Sequence, residues 1–184
     1  ENGCSAVYGP QKGADTEMIQ SMDQWLGAYA SLAGELYEKA VPNQPGTGAA
    51  GGMGFAFLTF TNAVLESGIS IVLEETELEK YIRDADIVIT GEGRLDGQTA
   101  MGKAPVGIAK RAKEKDCMVL VFAGSIEPQG VRKVQDEMQL VDGAFPILPG
   151  VMTLEEAMQK TVAYENMSYT AEQVFRLIGN CYIK

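Results

Sequence analysis

The chain has 184 residues, of which 46% are hydrophobic and 22% charged; this composition can bury a core for one domain or two small ones and is not that of a disordered segment. Its formal net charge of -10 repels phosphate backbones and argues against a nucleic-acid partner, while a local cluster of backbone N–H groups can still attract a small anion. The absence of histidine excludes Ser-His-Asp triads, Cys-His dyads and His-based zinc sites.

Residues 1–14 carry Gly3, Gly9, Pro10 and Gly13 and read as turns. A helix follows, capped by Asp15 or Thr16. Its Met18, Met22, Trp25, Tyr29, Leu32 and Leu36 recur at three- and four-residue steps, an apolar stripe expected to face a core. Residues 41–54, VPNQPGTGAAGGMG, form a break. The apolar stretch 55–66 predicts a buried helix ending at Gly68, and the β-branched run 69–73 predicts a strand or extended segment. Residues 74–83 read as a charged surface helix with Leu78, Tyr81 and Ile82 on one face.

The pattern then becomes regular. Residues 86–90, DIVIT, predict a short buried strand, and 91–103, GEGRLDGQTAMGK, a long loop. A helix over 104–115 has Pro105 in its first turn and Lys110, Arg111, Lys113 and Lys115 at the negative end of its dipole. Residues 117–123 and 143–148 predict two more strands, Thr153 and Glu156 form a capping box, and 169–182 complete a final helix. Strand, loop, helix, strand is a βαβ unit and implies a parallel sheet. The change of texture near residue 83 suggests a domain boundary there. Cys4, Cys117 and Cys181 form no CxxC pair, so they read as free, small apolar residues in a reducing compartment. No run approaches the roughly 20 apolar residues of a membrane span. The chain begins with Glu1, and we expect a segment upstream of it.

In a parallel α/β sheet, ligands sit beyond the carboxyl ends of the strands. The 91–103 loop leaves such an end, and a βα connection of that length is more often functional than a plain solvated turn. Glu92 and Asp96 are carboxylates able to hold Mg²⁺ or orient a hydroxyl, Arg94 and Lys103 can meet phosphate or carboxylate oxygens, and Gln98 and Thr99 can hydrogen-bond a polyol. Gly91, Gly93, Gly97 and Gly102 permit close backbone approach or left-handed conformations. Two look-alikes fail: Gly91-Glu-Gly93 lacks the third glycine of a dinucleotide fingerprint, and Gly102-Lys103 is followed by Ala104 where a P-loop needs Ser or Thr. The second glycine-rich segment, 46–54, leads into a helix, so its N–H groups and a helix dipole could bind an anion; a tight helix-packing turn explains the same composition. Lys12, between Gly9 and Gly13, is a weaker signal. Ser125, after the strand ending at 123, suits a helix cap better than a substrate contact.

Together, YGPQKGAD (8–15), GTGAAGGMG (46–54), DADIVITGEGRLDGQTAMGKAPVGIAKRAK (84–113) and FAGSI (122–126) resemble the glycerate kinase family, in its order and at its spacing. The GEGRLDGQT stretch is the most specific of these. The resemblance implies an α/β protein in which residues 83–184 are the second half of a flavodoxin-like sheet domain and 1–82 the C-terminal part of an inserted domain. It implies a cytoplasmic enzyme that phosphorylates D-glycerate with ATP and Mg²⁺, at the 2- or the 3-hydroxyl, and whose N-terminal half is missing here; a homodimer is left open. On that reading Glu92, Arg94 and Asp96 are catalytic, with Asp96 or Glu92 as magnesium ligand or base, and Arg94 and Lys103 stabilise developing charge. Gly48, Gly51, Gly52, Gly54, Gly91, Gly93, Gln98, Thr99 and Lys103 bind substrate or phosphate, the 46–54 loop cradling a phosphate or the glycerate carboxylate. The two loops are expected to face one cleft. The alternatives are a noncatalytic anion-binding or regulatory module and, against the glycine pattern, a Rossmann-type oxidoreductase.

Overall fold

A computed structural model describes residues 3–182. The outermost residues of the two expected domains, 1–2 and 183–184, lie outside that range. The chain divides into two compact units, one ending at Glu66 and the other beginning at Ser67.

The first unit is helical. A short helix α1 (Cys4–Tyr8) and a single 3-10 turn (Pro10–Lys12) replace the expected run of turns. Helix α2 (Thr16–Leu36) begins where the sequence suggests. Asp15 is its N-cap, and its Oδ1 accepts the Met18 N–H at 2.8 Å. Helix α3 (Ala49–Phe60) is broken at Ala50, Gly51 and Gly52, whose φ values of 52°, 73° and 100° are left-handed. It ends at Phe60, short of the expected 66.

The apolar stripe of α2 does not face a core within the described residues. Met18, Met22, Trp25, Tyr29, Leu32 and Leu36 are all exposed. The helix instead turns Ala33 inward, with Ile19, Leu26 and Ala30 half-buried. Periodicity identifies which residues share a face; it does not say which neighbour is there to cover them.

The second unit is the expected α/β layer structure. Strands β1 (Ile87–Leu95), β2 (Met118–Ile126) and β3 (Gly143–Pro146) form a parallel sheet in the order β1-β2-β3. In register, Ile87 pairs with Met118 and Leu120 with Gly143. Alternation along β2 divides the core: Val119, Val121 and Ala123 pack on one face with Leu95, Val106, Ala109 and Val134, while Leu120 and Phe122 pack on the other with Val174. Helices α6 (Ala104–Lys113) and α7 (Pro128–Arg132) contribute Val106, Ala109 and Val131 to the first face, and α9 (Lys160–Tyr182) contributes Val174 to the second. The capping box at Thr153 forms as read, opening α8 (Leu154–Ala157).

Two expectations are corrected here. The run 69–73 is not extended; it lies inside helix α4 (Gly68–Glu75). β-branched residues fit a strand only if a sheet edge is there to pair with. Here Leu73 is buried, and Ile69 sits where a Cβ on Gly107 of α6 would meet it at 2.5 Å, so helix packing decides the conformation. Helix α5 (Leu78–Ile82) also belongs to the sheet unit: Ile82 is in its core and Leu78 packs against it, while Tyr81 points to solvent. The expected shared face of Leu78, Tyr81 and Ile82 is therefore split, and the two compact units divide after Glu66.

Candidate functional site

The loop expected over 91–103 is shorter than the sequence suggests, because β1 continues through Gly91-Glu-Gly-Arg-Leu95. Glycine makes this possible. A Cβ on Gly91 would lie 2.6 Å from the Phe122 carbonyl oxygen, and a Cβ on Gly124 would lie 2.7 Å from the Gly93 carbonyl oxygen. Close approach is thus between neighbouring strands. Neither Gly91 nor Gly93 has a positive φ; Gly102, at 99°, does and ends the 3-10 turn Thr99–Met101.

At the carboxyl end of β1 the chain turns on Asp96. The Thr99 N–H donates to the Asp96 carbonyl at 3.1 Å, and the Gln98 N–H donates to Asp96 Oδ1 at 2.8 Å. Thr99 is the centre of the arrangement, 1% exposed. Its hydroxyl donates to Glu92 Oε1 at 2.6 Å and accepts the Asp96 N–H at 3.0 Å. Lys103 Nζ lies 3.6 Å from Asp96 Oδ1. The structure therefore brings together Glu92, Asp96, Gln98, Thr99 and Lys103. One buried hydroxyl ties the Glu92 carboxylate to the Asp96 backbone N–H, and a cation lies beside the Asp96 carboxylate. Among the described residues, the polar contacts of the Asp96 carboxylate all fall on Oδ1.

Arg94 is engaged elsewhere. Its guanidinium pairs with Glu127. That hydrogen bond, then the Glu127 charge and, less, the charge of Asp96 hold Arg94 above its ordinary value. Glu127 was not singled out in the sequence, although it directly follows β2 and so also lies on the ligand side of the sheet. Gly130 was also missed: a Cβ there would sit 2.7 Å from the Asp96 carbonyl carbon, so α7 packs directly on the Asp96 turn. A glycine in the middle of the short helix sequence PQGVR was the available sign.

In the first unit, the glycines of 46–54 have structural explanations of their own. Gly46, Gly51 and Gly52 have left-handed φ values. A Cβ on Gly54 would lie 2.4 Å from the Gly46 carbonyl oxygen, and one on Gly48 would lie 3.0 Å from the Cys4 Cβ. The Ala49, Gly52 and Phe55 N–H groups donate to carbonyls of the same turn, so fewer donors face outward than the composition suggests. The Thr47 hydroxyl shares its one proton between the carbonyls of Pro42 and Gln44, at 2.7 and 2.8 Å, locking the approach. What remains is a cavity of about 960 Å³, in which Ala50 and Gly51 meet Ser5, Lys12 and Trp25. Ser5 Oγ is buried with no hydrogen-bond partner among the described residues, and Ala50 is held at a positive φ without being glycine, a conformation that costs about 1–2 kcal/mol.

Groups of three or more metal-ligating side chains do not occur among the described residues. No helix there is long and apolar enough to cross a membrane.

Comparison with known proteins bears on the family of the chain. The profile of the glycerate kinase family matches residues 1–179. Glycerate kinase of Bacillus subtilis (strain 168) is 42% identical over 172 residues, covering 94% of this chain and 44% of that protein. Glycerate 2-kinase of Escherichia coli (strain K12) is 40% identical over 175 residues, covering 95% and 44%. A crystal structure of a Salmonella typhimurium LT2 protein assigned as glycerate kinase 2 superposes with a TM-score of 0.61 at 39% identity, covering 97% of this chain and 45% of that one. The chain thus spans less than half the length of these relatives. With the profile matching nearly end to end and identities near 40% on a parallel α/β frame, the chain belongs to the glycerate kinase family.

Proposed function

We propose that this chain supplies part of the active site of an ATP-dependent D-glycerate kinase. The observation that carries the proposal is the Glu92–Thr99–Asp96 cluster with Lys103 beside it, at the carboxyl end of a parallel strand in a member of this family. Phosphoryl transfer asks for little covalent chemistry. It needs the acceptor hydroxyl and the γ-phosphate in line, charge neutralised and water excluded.

The geometry divides the work. The Gln98 N–H and Lys103 fix Asp96 through Oδ1 and leave Oδ2 to meet the acceptor hydroxyl or a metal. Glu92 is oriented by the Thr99 hydroxyl. Lys103 is the nearer cation for a transferring phosphate, because Arg94 is committed to Glu127. Magnesium is commonly held by one or two carboxylates plus substrate phosphates, and Glu92 with Asp96 fit that donor set. Bound there, Mg²⁺ would offset phosphate charge. In the first unit, the mostly apolar cavity is bordered by Asp15 and Glu17 as well as Lys12, and Lys12 with the Ala50–Gly51 backbone is where an anionic group, either a phosphate or the glycerate carboxylate, would be met.

The name of the E. coli relative makes the 2-hydroxyl the first acceptor to test. The division into an inserted domain and a sheet domain, a cytoplasmic setting and dependence on the polypeptide that completes the relatives' length belong to the same proposal. The experiment is ADP release coupled to NADH oxidation, with D-glycerate and Mg-ATP, on the polypeptide of full relative length. Glycerate-dependent ADP release that collapses in Asp96→Asn supports the reading. ADP release independent of glycerate, or unchanged by that substitution, overturns it.

A further inference from the structure

Helix α2 is more apolar than its own unit can use. One strip of its surface, Ile19, Leu26, Ala30 and Ala33, turns into the unit, and Leu26 lies where a Cβ on Gly52 would meet it at 3.2 Å. The adjacent strip, Met18, Met22, Trp25, Leu32 and Leu36, is exposed, with Trp25 and Leu36 each 71% accessible. Tyr29 marks the border between them, its ring 5.6 Å edge-on from Phe55. With Tyr29 between Trp25 and Leu32, the exposed strip follows steps of four and three residues and forms a continuous seam. At 1.5 Å per residue the seam from Met18 to Leu36 is about 27 Å long. Glu17, Asp23 and Glu35 are the sole charged residues of the helix, whereas a solvated helix face is ordinarily rich in charge.

A small ligand does not account for this seam. The nearby cavity touches Met18, Met22 and Trp25 but neither Leu32 nor Leu36. Large contiguous apolar surface of this kind marks a protein contact. The relatives show where such a surface can come from, since the matched segment is 44% of the Bacillus subtilis and Escherichia coli proteins. A second copy of this chain is the less favourable occupant, because each copy carries a net charge of -10 and the two would repel.

We propose that the Met18–Leu36 seam of α2 is an intramolecular docking surface, covered in the complete enzyme by the part of the glycerate kinase polypeptide outside the matched segment. The proposal rests on family membership and not on the chemistry assigned to Asp96. Cysteine labelling tests it in the polypeptide of full relative length: Leu32→Cys on the seam is compared with Gln24→Cys on the exposed polar side of the same helix. Maleimide modification is read on the peptides by mass spectrometry. We expect Leu32→Cys to react at least tenfold more slowly than Gln24→Cys, at every protein concentration. Equal rates overturn the proposal. Protection that disappears on dilution also overturns it and identifies a second copy as the occupant. Carbene footprinting of Trp25 in the unsubstituted protein reads the same contrast without any variant: a protected Trp25 supports the docking surface, and a freely modified one overturns it. Neither readout requires activity, so a failure here is separable from a failure of the proposed reaction.

Discussion

The two glycine-rich segments look alike in composition and do different things. In 46–54 the glycines serve the backbone: three take left-handed conformations, and Gly54 allows two turns of chain to touch. In 91–103 a single glycine, Gly102, is left-handed, and Gly91 allows two strands to approach. Only the second segment gathers carboxylates, a buried hydroxyl and a cation into one hydrogen-bonded cluster. The lesson is that glycine content marks where the backbone is unusual. Chemistry has to be read from the side chains that the unusual backbone brings together.

The comparison can be broken most sharply at Asp96. Asp96→Asn in the polypeptide of full relative length should lower turnover by about a hundredfold or more, as expected for loss of a placed charged group, with little change in melting temperature. Steady-state kinetics beside a thermal melt checks this, and a large fall in melting temperature with normal turnover would make Asp96 a turn residue.

Gly130→Ala should come next. Its Cβ would lie 2.7 Å from the Asp96 backbone, so either α7 or the Asp96 turn must move. Overpacking of this kind costs about 1–3 kcal/mol, and turnover should fall along with stability. Denaturant titration together with kcat separates the two losses.

In the other segment, Gly54→Ala and Gly51→Ala should differ. The first meets a carbonyl oxygen at 2.4 Å and the second meets nothing within 4 Å. Gly54→Ala should therefore destabilise by more than the about 1–2 kcal/mol that a left-handed alanine costs at 51. Equal destabilisation in urea would show that packing at Gly54 is not what that position is for. A raised KM in Gly51→Ala, beyond its stability loss, would favour the cavity as a ligand site.

The smallest effect concerns the Thr153 capping box. The Glu156 carboxylate is held below its ordinary value, first by the Thr153 backbone N–H and then by its hydroxyl. A depressed carboxylate contributes stability that is fully present above the ordinary value of 4.5 and is lost as pH falls through the lower folded value. An NMR titration should show the Thr153 and Glu156 amide shifts moving together in that acid window, and Glu156→Gln should remove the transition.

Much of the second unit is legible in the sequence. The βαβ pattern identifies the parallel pair, and Pro105 and the basic last turn locate α6. The extension of β1 to Leu95 is not legible, because Gly-Glu-Gly-Arg has no strand propensity; the pairing of Arg94 with Ser125 and Leu95 with Ile126 carries it. Likewise the run at 69–73 has the residues of a strand and the neighbours of a helix. In the site, Glu92, Asp96, Thr99 and Lys103 stand within one segment and are found by reading it. Glu127 and Gly130 come from after β2 and enter only through the fold. The outward turn of α2 escapes periodicity for the same reason: a pattern within one helix carries no information about what lies opposite.

That outward turn has a chemical consequence. Met18 and Met22 are thioethers at the surface of the described chain. Oxidation to the sulfoxide makes a flexible apolar side chain polar, and it would do so in the middle of the seam. If the seam is covered as proposed, a molecule that has not yet closed over α2 is vulnerable to peroxide in a way that a closed one is not. Methionine oxidation would then record how long that surface stayed open.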